Sequence, residues 1–154
     1  MTERSDLVLK WCLQEILYFN YGWVIVCFYA SNDKMATRVL IADDSQIVRG
    51  IIRTFLARRP NVEICGETAD GRETIDAALT LRPDLLILDV LMPEFNGIEV
   101  ASILKKSLPN TKTILFTMYG DFIKSLAIAA GVSVIVSKSD GLSPLLSALE
   151  TFLN

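Results

Sequence analysis

From Arg38 to the C-terminus, short apolar runs rich in β-branched residues alternate with longer stretches in which apolar positions recur with helical period. The runs 38–42, 62–67, 85–88, 113–117 and 134–136 read as strands. Their near-continuous apolarity predicts burial on both faces. The stretches between them predict helices over 46–58, 72–81, 97–108, 122–130 and 144–153. Punctuation supports these limits. Ser45 or Asp44 offers a cap for the first helix and Asp70 for the second. Ser143 before Pro144 reads as a cap followed by proline at the first helical position, and Gly131 closes the fourth helix. On the fourth helix, Phe122, Ile123, Leu126 and Ile128 are expected to be mostly core, with a few left for a partner. Five βα units leave no room for a second domain in this stretch. They predict an α/β fold, a doubly wound five-stranded parallel sheet.

Residues 1–34 have a different character. The run ILYFNYGWVIVCFYA at 16–30 is almost wholly apolar and aromatic. It is shorter than the roughly 20 residues that a membrane-spanning helix needs. The mixed charges Glu3, Arg4, Asp6 and Lys10 fit a secretory signal poorly. Three readings stay open for this extension. It is not native and Met35 is the natural start, or it is a short membrane anchor, or it is an extra helix on the domain or a partner. The first is favoured because Met-Ala-Thr-Arg opens directly into a strand. Residues 35–154 form the domain proper.

The chain's 15 Lys and Arg against 18 Asp and Glu give a formal charge of −3. That excludes a broadly basic nucleic-acid surface. The Arg58-Arg59 cluster with Arg53 reads as a solvated helix face. Three scattered cysteines, Cys12, Cys27 and Cys65, argue against a disulfide framework and against a zinc site. There is no histidine. This removes Ser-His-Asp and Cys-His catalysis and a phosphohistidine donor role. Any chemistry must use carboxylates, hydroxyls and lysine.

In open parallel sheets, sites form beyond the carboxyl ends of the strands. The first strand ends in Asp43-Asp44, the third in Asp89 and the fourth in Thr117, while the fifth runs into Ser137-Lys138. Taken singly, these could be a helix cap, a turn residue, a strand-end β-former and a solvated lysine. Taken jointly, they place three carboxylates, a hydroxyl and an ammonium around one crevice. Repulsion among the carboxylates calls for raised pKa values or a bound cation. Mg²⁺ suits one or two carboxylates plus waters and a phosphate oxygen. Lys138 supplies a compact charge for a phosphate. An aspartate is a known nucleophile toward phosphorus.

The motifs VLIADDS at 39–45, LLILDVLMPEFNG at 85–97, ILFT at 114–117 and the lysine of VIVSKSD at 134–140 resemble a response-regulator receiver domain of two-component signalling. The resemblance implies the flavodoxin-like, chemotaxis-regulator-like strand order 2-1-3-4-5. It makes Asp89 the phosphoacceptor, Thr117 the switch hydroxyl and Lys138 the lysine that pairs with the phosphate. The implied Mg²⁺ ligands are Asp43, Asp44 (the more direct of the pair), Asp89 and the backbone carbonyl of Leu91. It further implies a histidine kinase or phosphotransfer protein as donor and a downstream protein as target. No direct nucleic-acid contact is expected, and membrane contact only if residues 1–34 act as an anchor. The implied location is cytoplasmic. The only enzymic activity implied is Mg²⁺-dependent self-phosphorylation and self-dephosphorylation. Met92-Pro93 and Asn96-Gly97 would form the loop after the acceptor strand.

Two positions depart from the family pattern. Ile135 stands where an aromatic usually reports the switch, and Tyr119 is the nearest substitute, though it reads more simply as a loop aromatic. Ser139 follows Lys138 where proline with a cis bond is common. A cis non-proline bond costs about 2.5–4 kcal/mol, so a trans bond is expected. Lys-Ser-Asp is similar to receivers that precede LuxR-type helix-turn-helix domains. With the chain stopping at Asn154, a stand-alone relay or adaptor is expected. Leu91 near the path of an attacking water suggests slow self-dephosphorylation. The alternatives are a non-phosphorylated pseudo-receiver scaffold and an aspartyl-nucleophile phosphatase. The phosphatase is disfavoured because Leu91 stands where a general acid would be needed.

Overall fold

The computed structural model of the protein describes residues 36–153, so the expectations for residues 1–34 lie outside the described residues. Strands and helices alternate strictly. They are β1 (Thr37–Ala42), α1 (Gln46–Leu56), β2 (Val62–Thr68), α2 (Gly71–Leu81), β3 (Leu85–Leu88), α3 (Gly97–Ser107), β4 (Lys112–Thr117), α4 (Gly120–Ala129), β5 (Val134–Ser137) and α5 (Ser143–Leu153). All the strand pairs are parallel, in the order β2-β1-β3-β4-β5. The expected fold and strand order are therefore those observed. Among the described residues, no helix is long and apolar enough to cross a membrane.

Side-chain alternation along β1 divides the core in two. Val39 and Ile41 pack with Ile52 and Leu56 of α1 and with Leu145 and Leu149 of α5. Leu40 and Ala42 pack on the other face with Ala78 of α2, Val100 and Leu104 of α3 and Ala127 of α4. Burial on both faces holds for β3, for Val39–Ala42 of β1 and for most of β4. It does not hold for β2 and β5, which are edge strands and half-buried over most of their length.

Several boundaries move for identifiable reasons. The first helix stops at Leu56, two residues short of the expectation, and Arg58 and Arg59 close turns onto Phe55 and Leu56 ahead of Pro60. The last helix includes Ser143 rather than being capped by it, with the amide of Leu146 donating to the carbonyl of Leu142. Ser45 and Asp70 cap α1 and α2 as expected, and Asn96 forms a reciprocal capping box with Glu99 on α3. Gly131 follows α4 at φ 84°, the left-handed conformation that ends a helix cheaply only with glycine.

The reading of α4 needs correction. Phe122 is 90% exposed, and Leu126 and Ile128 are exposed as well. The inward stripe is instead Ile123, Ala127 and Ala130, spaced by four and three residues. Small alanines let the helix lie close to the sheet and turn its large apolar side chains outward. Phe122 and Leu126 lie on one outward face, and Ile128 does not share it.

Candidate functional site

The reversal of strand order between β1 and β3 opens a crevice at their carboxyl ends. Asp43 and Asp44 leave β1 there, and Asp89 leaves β3 beside them. Carboxylate oxygens of Asp43, Asp44 and Asp89 all lie within 4.8 Å of one another. Asp43 and Asp89 are buried, at 2% and 6% exposure, while Asp44 is open to solvent. Lys138 reaches in from the end of β5, its ammonium 2.7 Å from Asp43 Oδ2 and 3.2 Å from Asp89 Oδ1. The same ammonium lies 5.7 Å from the centroid of the Phe116 ring, whose face favours a cation.

Each acid is held by a different means. Asp43 Oδ1 accepts the amide of Ser45 at 2.9 Å, which fixes its carboxylate against the start of α1. Asp89 is fixed through its backbone. Its amide donates to Ala42 at 2.8 Å, and the amide of Gly97 donates to Val90 at 2.9 Å. A Cβ at Gly97 would sit 2.1 Å from the carbonyl oxygen of Asp89, so only glycine lets α3 begin so close to the acceptor strand. The loop between them is pinned from the side as well. The amide of Gly71 donates to Pro93, and Arg72 stacks over Phe95 at 4.7 Å.

Burial pushes the Asp89 carboxyl above the ordinary carboxylate range. The Lys138 ammonium and the amide of Val90 pull it down, and Asp43 adds a smaller push upward. Desolvation wins. A divalent cation among these oxygens would relieve both the burial cost and the mutual repulsion. The donor set suits Mg²⁺, being hard oxygen ligands with one side, at Asp44, open for waters.

Thr117 is fully buried at the end of β4, one strand over from Asp89. Among the described residues its hydroxyl meets the amide of Tyr119, at 3.4 Å, rather than a carboxylate or Lys138. The structure thus brings Asp43, Asp44, Asp89 and Lys138 into one group and leaves Thr117 at its edge. Leu91 lies in the loop after Asp89 and is 54% exposed. Tyr119 is a half-exposed loop aromatic, as expected, and Ile135 is half-buried against Gly120. The bond from Lys138 to Ser139 is trans. Residues 138–140 form a short 3₁₀ turn capped by the Ser137 hydroxyl.

The sequence reading passed over Arg49. Its Nη1 donates to the main-chain carbonyls of Asp43, at 2.6 Å, and Asp44, at 3.3 Å. The available signal was a basic residue one turn into the helix that follows the acid pair. Of the Arg58-Arg59 cluster with Arg53, Arg53 and Arg58 are exposed, as on a solvated helix face. Arg53 pairs with Glu67, and Arg59 pairs with Glu150 and stacks on Phe55.

Comparison with known proteins agrees with this geometry. Residues 39–150 match the family described as the response regulator receiver domain. The response regulator protein VraR of Staphylococcus saprophyticus is 32% identical over 121 residues, which cover 78% of this chain and 58% of that protein. The chain thus spans little more than half the length of that curated relative. The response regulator domain of Thermotoga maritima CheB superposes with a TM-score of 0.70 at 26% identity, covering 77% of this chain and 97% of that one. A LuxR-family two-component response regulator from Aurantimonas sp. SI85-9A1 gives a TM-score of 0.71 at 30% identity, covering 77% and 85%.

Proposed function

Since the chain belongs to the response regulator receiver domain family, we propose that it is a phosphoryl-accepting switch with Asp89 as the acceptor. One observation supports this most: a buried carboxylate in contact with an ammonium, with two further carboxylates within 4.8 Å. Asp89 attacks phosphorus through a carboxylate oxygen. A bond forms from that oxygen to phosphorus, and the bond from phosphorus to the donor's leaving atom breaks. Lys138, already 3.2 Å from Asp89, pairs with a phosphoryl oxygen. Asp43, Asp44 and Asp89, with the carbonyl of Leu91, would hold Mg²⁺. When bound, the ion neutralises the carboxylates and the charge on the transferring group.

Thr117 donates its hydroxyl proton to a phosphoryl oxygen and still accepts from Tyr119, so its movement pulls on the loop that begins α4. With Ile135 in place of an aromatic, this main-chain link is the route by which the face of α4, β5 and α5 changes. The donor is a histidine kinase or phosphotransfer protein, and the reader of the changed face is a further protein or domain. The setting is the cytoplasm, where such donors act. We place the chain outside turnover catalysis of phosphate esters, because Leu91 has no proton to transfer to a leaving group.

Acetyl phosphate with Mg²⁺ tests this reading. The intact protein should gain the mass of one phosphoryl group, and EDTA should prevent the gain. A protein that stays unmodified with magnesium present would leave the scaffold reading in its place.

A further inference from the structure

Asp43 and Asp44 are adjacent in sequence but are held very differently. Asp43 has its carboxylate fixed by the Ser45 amide and by Lys138. Among the described residues, no hydrogen bond fixes the carboxylate of Asp44. Its direction depends on the peptide planes on either side of it, and both of their carbonyls, those of Asp43 and Asp44, are held by Nη1 of Arg49. Arg49 is locked in turn. Its Nε lies 3.6 Å from Glu67 Oε2 at the end of β2, and the other oxygen of Glu67 takes Nη1 of Arg53 at 3.0 Å. The Arg49 side chain is only 17% exposed.

We infer that Arg49, locked by Glu67, is a positioning residue that aims Asp44 and thereby sets the affinity of the acid cluster for Mg²⁺. The inference rests on the proposed reading of that cluster as a Mg²⁺ site. A guanidinium beside three carboxylates would ordinarily pair with one of them. Here Nη1 donates to main-chain oxygens and takes no carboxylate of the cluster. Its charge alone would repel that cation, and Glu67, which Arg53 shares, offsets part of it. Outer partners of this kind commonly matter to metal affinity by about 10- to 100-fold.

The experiment is calorimetric titration of the full chain, stripped with EDTA, with MgCl₂. Arg49→Met should bind Mg²⁺ about tenfold more weakly. Arg49→Lys should be intermediate, because an ammonium lacks the fork that spans two carbonyls and Glu67. Glu67→Gln should also bind more weakly, by a factor that shrinks as KCl is raised, because it leaves the guanidinium charge unbalanced. Thermal melts in EDTA report structural damage separately. A folded Arg49→Met protein with Mg²⁺ affinity within about twofold of wild type overturns the inference, since that lies below the range seen for such partners. If Arg49→Met fails to fold, unchanged affinity in both Arg49→Lys and Glu67→Gln overturns it instead. A wild-type chain that binds no Mg²⁺ removes the underlying reading and this inference with it. A wild-type chain that binds Mg²⁺ and accepts phosphoryl, beside an unaltered Arg49→Met, removes the inference alone.

Discussion

At Asp89, burial and charge pull ionisation in opposite directions, and burial prevails. The folded state therefore holds a proton there more tightly than the unfolded chain does. With the native value raised, the native state binds more protons than the unfolded one between the two values, so stability falls as pH rises through that window. At neutral pH the Asp89 charge is a cost to the metal-free fold. Asp89→Asn should raise the stability of EDTA-treated protein at neutral pH, read as a higher melting midpoint. Its advantage should shrink as pH is lowered toward the ordinary carboxylate range. Urea titrations of both proteins at several pH values check this. A variant less stable at neutral pH would mean that the Lys138 contact outweighs burial. The grouping of Asp43, Asp44, Asp89 and Lys138 was legible in the sequence, because the acids come directly after apolar strands and Lys138 comes one residue later, after Ser137. Arg49 was not, because its role lies in main-chain oxygens that no residue pattern displays.

Among the elements, the junction of β3 and α3 has little slack. A Cβ at Gly97 would meet the Asp89 carbonyl oxygen at 2.1 Å, and the next nearest atoms are also backbone, of Asp89 and Val90. Gly97→Ala should cost about 3 kcal/mol, the upper end for overpacking. It should also slow phosphoryl uptake by shifting Asp89. Denaturant midpoints and labelling rates measured together check both. Stability within about 0.5 kcal/mol of wild type, as for an ordinary surface change, would show that the junction can relax. Strand positions were legible because apolar runs end abruptly at polar residues. The buried face of α4 was legible only in part: of the four residues expected to be mostly core, Ile123 packs inward, while Phe122, Leu126 and Ile128 are exposed. Ala127 and Ala130 complete the inward stripe, and small alanines carry little signal beside large apolar neighbours. The end of α1 was placed two residues late because Ala57 and Arg58 are good helix formers, while the chain closes local turns there ahead of Pro60.

Across the described residues, two cores on opposite faces hold one sheet, and its order places every candidate group at one end. The strict alternation of elements made this fold readable from the chain alone. The strand order was not fixed by alternation and came from the family resemblance, which the parallel pairing then matched. The most direct test is to locate the modified residue. Protein treated with acetyl phosphate and Mg²⁺ is reduced with borohydride, which converts an acyl-phosphorylated aspartate to homoserine, and is then mapped by peptide mass spectrometry. The account predicts homoserine at position 89 and at no other aspartate, with none formed in EDTA. Homoserine at another position, or its absence at 89 with magnesium present, would contradict it.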